Sequence, residues 1–147
     1  MFVRVFMSHW LKVGLAAGIG LGMAYTAWAA QSEGLAMREI MVGVIAPATN
    51  KIWGAYDIKS DTQWLELDQA ANVVIAAAEL TAQGGADGAY ALQAQNEDWQ
   101  GFVQQLISAA RTAQLAIQNH DEEAMFNAGN DLMYAPCESC HNIYLPK

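Results

Sequence analysis

The chain has 147 residues, 54% of them hydrophobic, with seven basic residues against fifteen acidic ones and a formal net charge of −8. A balance this acidic argues against nucleic acid or an anionic lipid surface as partner, because both would repel it. The only two cysteines, Cys137 and Cys140, are three apart. A bridge between them would close too small a loop to stabilise a domain of this size appreciably.

The N-terminal stretch "MFVRVFMSHWLK" carries Arg4 and Lys12 and no acid, and "VGLAAGIGLGMAYTAWAA" follows without any charge. A basic head, an apolar run and small residues around Ala27, Trp28 and Ala29 predict a secretory signal over residues 1–29, cleaved after Ala29. The mature domain is then 30–147, located in the periplasm. Retention as a membrane anchor is the alternative, since the uncharged stretch from Val13 to Ala30 approaches the length of a span. Its four glycines weaken it as a permanent helix. Without Arg4 and Lys12 the chain keeps five basic residues against fifteen acidic ones, a net charge of −10. Such a domain suits a partner with a basic docking surface.

Four helical segments follow, with almost no strand alternation. In "SEGLAMREIMVGVIAPATNKIWGAY" the apolar residues Leu35, Met37, Ile40, Met41, Val44 and Ile45 recur at three- and four-residue steps. Ser32 can cap this segment and Glu33 suits its positive end. Pro47 removes a hydrogen bond to the Gly43 carbonyl, which predicts a kink there. Ser60 and Gln63 have capping-box spacing before a second helix buried along Trp64, Leu67, Ala71, Val74, Ile75 and Ala78. Gly84, Gly85 and Gly88 in "QGGADGAY" break the pattern. Asn96 opens a third helix with the stripe Trp99, Phe102, Val103, Leu106, Ala110, Ala113 and Ile117. "NHD" ends it, and Asp121 caps a fourth helix bearing Met125, Phe126, Leu132 and Met133. Four amphipathic helices with short links predict an all-α fold, an antiparallel four-helix bundle.

The last helix carries "CESCHNIY". Three chemistries use a cysteine pair of this spacing. A thiol–disulfide centre normally sits at a helix N-terminus in a strand-rich fold, not at the far end of a helical chain. Zinc needs three or four ligands, and the mature chain offers only His120 beyond Cys137, Cys140 and His141. Covalent haem attachment uses C-x-x-C-H. Its two cysteines at i and i+3 can each form a thioether to a porphyrin vinyl group, leaving His141 beneath the iron. Export is consistent with this chemistry.

With its attachment motif in the last helix and Tyr144 three residues after the histidine, the chain resembles the class II c-type cytochromes. These comprise cytochrome c′ and its low-spin relatives. The resemblance implies a four-helix bundle with one covalent haem c near the C-terminus, held by Cys137 and Cys140 with His141 as proximal ligand. Cytochrome c′ commonly has a basic residue directly after that tyrosine, where this chain has Leu145, so its gas chemistry does not transfer freely.

The sixth iron site decides function: a ligand there makes a low-spin electron carrier, an open site a five-coordinate haem that binds NO or CO. A ligand from the same helix as His141 cannot reach the other face, which disfavours Met125 and Met133; Met133 is expected at the ring edge. His120 sits between charged neighbours and reads as a loop or C-cap residue. The low-spin relatives take a methionine from the first helix, where Met37 and Met41 lie one turn apart. Periodicity does not choose between them. Met41 lies deeper in the apolar run and is the expected distal ligand, with Met37 as alternative. Trp53, Trp64 and Trp99 read as core anchors, and Glu97–Asp98 and Glu122–Glu123 as helix N-termini. No enzyme site stands out. The expected function is periplasmic electron transfer with soluble or membrane-bound redox proteins, without stable membrane insertion after cleavage. A homodimer is compatible with the resemblance.

Overall fold

A computed structural model of the chain describes residues 34–145. The segment read as a secretory signal and the Ser32–Glu33 cap lie outside the described residues. Those residues are all-helical, with no strand among them.

The first helix, α1, covers 37–53 and changes pitch along its length: Glu39–Ile45 is π-helical and Ala46–Trp53 is α-helical. Its start is capped locally, the Glu39 carboxylate accepting the Ala36 N–H at 2.9 Å. The kink expected at Pro47 takes the form of wide turns upstream. Proline lacks an N–H and its ring crowds the carbonyl four residues back, and the ladder slips by one, so that the Ala46 N–H bonds to the Met41 carbonyl five residues before it.

Helix α2, Asp61–Ala82, begins as its sequence predicts: the Ser60 Oγ accepts the Gln63 N–H at 3.3 Å. The Gln63 Oε1 turns back to the Lys59 N–H at 2.8 Å, one residue earlier than in the standard box. Its buried face is Trp64, Leu67, Val74, Thr81 and four alanines, with Ile75 only half-buried.

After the glycine loop and a short 3₁₀ turn, Gln93–Gln95, helix α3 runs Glu97–Gln118. It packs antiparallel on α2, as the polar contacts at both ends require. The Trp99 Nε1 donates to the Thr81 carbonyl at 3.0 Å and the Gln100 Nε2 to the Ala82 carbonyl at 2.9 Å. These occupy orphan acceptors at the end of α2. At the other end Gln114 and Gln118 both donate to Asp68. Asn96 takes the N-cap position as expected, but its side chain makes no capping bond and reaches the Tyr144 hydroxyl at 3.4 Å.

Helix α4 covers 122–144 in three parts: α-helical Glu122–Asn127, π-helical Ala128–Met133 and α-helical Tyr134–Tyr144. Asp121 caps it, accepting the Ala124 N–H at 2.9 Å. Again the wide turns precede a proline, Pro136. Met125 and Met133 are wholly buried, whereas Phe126 and Leu132, expected on the same stripe, are about half exposed at 53% and 51%. The π-helical insertion rotates the face of α4 in mid-course, so one α-helical period does not describe it. Gly129 permits close approach of α1: a Cβ there would meet Ile52 at 3.2 Å. Beside it the Trp53 Nε1 donates to the Gly129 carbonyl at 2.7 Å.

Candidate functional site

Two cavities flank the C-terminal half of α4. The first, about 350 Å³, runs along α1 from Met41 to Trp53 and is closed by Phe102, Val103 and Leu106 of α3. The second, about 440 Å³, lies toward the start of α1 and the glycine loop, with Met37, Tyr90, Trp99 and Tyr144 in its walls. Both volumes are of the size that holds a small molecule or cofactor. Met41, Cys140 and His141 belong to the walls of both. Cys137 lines the first only, and Met37 and Leu145 the second only.

Local structure explains this convergence. Cys137 and Cys140 sit one helical turn apart on α4, with His141 next in sequence. Both sulfurs are free thiols, half-buried against the core. Burial pushes the Cys137 thiol above its ordinary value of 9.0, and a charge on Cys140 would push it further, against a smaller lowering by a backbone hydrogen bond. The Cys140 thiol is raised by burial. Both are therefore protonated at neutral pH, the opposite of an activated redox cysteine. His141 is exposed. Among the described residues no group of three or more His, Cys, Asp or Glu side chains converges to hold a metal ion.

Across the cleft Met41 is partly buried, while Met37 is buried in the core at 6% exposure. Met37 is pinned from behind. Gly85 adopts φ +78°, and a Cβ on it would stand 2.7 Å from the Met37 nitrogen. The adjacent Ala86 N–H donates to the Leu35 carbonyl at 2.9 Å. The glycine loop, read in the sequence only as a break, thus anchors the start of α1.

His120 lies elsewhere. It has a left-handed backbone, φ +55°, just past the end of α3, and its ring stacks on Trp64 with centroids 4.9 Å apart. Gln118, nearby in the chain, is roughly 18 Å along α3 from Leu106, the last α3 residue in the cleft. Met125 and Met133 are absent from both cavity walls. Trp64 and Trp99 are buried anchors, while Trp53 lines the first cavity, and Tyr90 and Tyr144 both contact Trp99 in the second. The tyrosine contacts and the polar wall residue Thr49 carried no periodic signal that would mark them.

Comparison with protein-family models, curated proteins and solved structures found no match. No helix among the described residues is long and apolar enough to cross a membrane.

Proposed function

We propose that the chain is an exported monohaem c-type cytochrome of class II type. In this reading its helices form an antiparallel four-helix bundle, and it carries single electrons between redox proteins of the periplasm. The observation that carries the reading is the sharing of Met41, Cys140 and His141 by the walls of two adjoining cavities. A covalent haem c fits this donor set: two protonated thiols one turn apart, an adjacent imidazole, and a thioether on the facing helix, within largely apolar walls.

Cys137 and Cys140 would each add S–H across a vinyl group, which needs no oxidant and leaves two thioethers. His141 would give its imidazole lone pair to the iron from α4, and Met41 its sulfur lone pair from α1. When bound, the haem supplies one-electron exchange between ferrous and ferric iron. The side chains of Ile45, Phe102, Val103 and Leu106 keep water from one wall of the cleft, and Trp99 and Tyr144 form an aromatic wall in the other cavity. His141 on α4 and Met41 on α1 would hold the group between two helices, which would favour little rearrangement on electron transfer.

The test is the absorption spectrum of the exported protein in both oxidation states, with haem staining after denaturing electrophoresis. Retained covalent haem with low-spin bands supports the reading. High-spin bands with fast carbon monoxide uptake would assign an open, gas-binding iron instead. A colourless protein of bare polypeptide mass would refute both.

A further inference from the structure

We infer that Trp53 is a positioning residue: its indole clamps α1 to α4 and thereby sets the width of the cleft between Met41 and His141. This deepens the haem reading, on which it rests only for what the cleft holds, by naming the residue that fixes the distance between the two donors.

The joint is built from both sides. The Trp53 Nε1 donates to the Gly129 carbonyl at 2.7 Å, among the described residues the one hydrogen bond between α1 and α4. The same ring meets Tyr134 edge-on, with centroids 6.4 Å apart and planes at 63°. Gly129 lies inside the π-helical Ala128–Met133, and Tyr134 opens the α-helical part that carries Cys137, Cys140 and His141. Trp53 therefore holds α4 on both sides of its change of pitch. A ladder returning from π to α pitch passes over a carbonyl, and a buried carbonyl needs a donor. An indole N–H delivered to this stretch steadies the helix where its own bonding is weakest. Gly129 makes the approach possible, since a Cβ there would stand 3.2 Å from the Ile52 Cγ2 and 3.4 Å from the Trp53 Cδ1.

From this joint the two helices reach the cleft by arms of equal length. Met41 stands twelve residues before Trp53 on α1, and His141 twelve residues after Gly129 on α4. Each arm is at most about 18 Å long. The first cavity lies between them, with Trp53 and Tyr134 in its wall at the joint and Met41, Cys140 and His141 in its wall at the far end. Over such an arm an opening of about 3° moves the tip by about 1 Å. A positioned donor tolerates about half that displacement. The separation of Met41 from His141 is thus governed by how firmly Trp53 grips Gly129.

Two variants act on the joint while affecting helix stability differently. Trp53→Phe removes the N–H and keeps a ring. Gly129→Ala forces Ile52 and Trp53 to yield by a few tenths of an ångström, although alanine favours the helix itself over glycine. Val74→Ala, in the buried face of α2 and outside both cavity walls, is the control for lost stability. In the exported protein Trp53→Phe should lose part of the far-red thioether band and take up carbon monoxide roughly fivefold faster than the control, the factor one hydrogen bond is worth. Gly129→Ala should move both readouts the same way. In the full chain with both thiols free, alkylation of Cys137 and Cys140 should accelerate over the control by a similar factor. The inference is overturned if the readouts follow stability alone, with Trp53→Phe matching Val74→Ala and Gly129→Ala matching the parent. A colourless protein whose joint variants still speed alkylation would sink the haem reading and leave the clamp standing. A haem-bearing protein whose joint variants behave as the control would do the reverse.

Discussion

Met41 and His141 stand on different helices, α1 and α4, and each forms part of the wall of both cavities. Met37 reaches only the second and is buried. The two methionines should therefore respond differently to truncation. Met41→Ala is expected to convert the ferric protein from low to high spin, to remove the far-red thioether band and to open the ferrous iron to carbon monoxide. Met37→Ala should keep the spectrum and lose about 2–5 kcal/mol of stability, the usual cost of emptying a buried site. Paired spectra and denaturant melts of the two variants check this, and the reverse assignment of spectral loss would make Met37 the ligand.

The glycine loop offers a test of how α1 is held. Gly85→Ala places a methyl group 2.7 Å from the Met37 nitrogen in a left-handed backbone. Gly88 is equally left-handed, φ +70°, but a Cβ there meets nothing within 4 Å. Gly88→Ala should cost only the conformational strain, about 1–2 kcal/mol. Gly85→Ala should cost more and speed amide exchange at the start of α1. Equal melting temperatures for the two variants would show that the loop does not clamp the helix.

Trp53 joins α1 to α4 through its indole N–H and the Gly129 carbonyl at 2.7 Å. Trp53→Phe removes the donor and leaves a partly buried carbonyl without it, which should cost about 1–3 kcal/mol. A chemical-denaturation curve with unchanged slope and a lower midpoint is the expected record.

With both cysteines free, the thiols should make the chain sensitive to alkali. Both cysteines have folded-state pKa values raised above 9.0, mainly by burial. The unfolded chain then releases its thiol protons first, so their stabilising contribution is full below pH 9 and falls as pH rises through the higher folded values. Urea midpoints of the haem-free protein between neutral pH and pH 10 should decline. The decline should flatten in a Cys137→Ser, Cys140→Ser variant.

Much of the helical content was legible because its signals are local. The Ser60 and Asp121 caps and the α3 stripe from Trp99 to Ile117 follow from short-range chemistry. So does the Cys137–Cys140–His141 spacing, since covalent connectivity alone puts those side chains on one turn. Long-range features were not legible. The turn of the Asn96 amide toward Tyr144 depends on a helix 48 residues away. The exposure of Leu132 depends on π-helical turns that no fixed period anticipates, whereas Phe126 precedes those turns and lies off the face on which Met125 is buried. Periodicity left Met37 and Met41 equivalent because both lie on one face. What separates them in the structure is how far along the cleft each stands, which is a property of four packed helices.

The wide turns of α1 also set how the chain measures distance. A π-helical turn uses more residues than an α-helical one for the same advance, so Glu39–Ile45 contains slack that Pro47 holds in place. Deleting one residue there would let the segment close into α-helical turns, the slack absorbing most of the change, whereas deleting one from the α-helical Ala46–Trp53 would swing everything upstream by about 100°. A single-codon deletion in the wide turns should thus be far less damaging than one in the α-helical part that follows, which has no residue to spare.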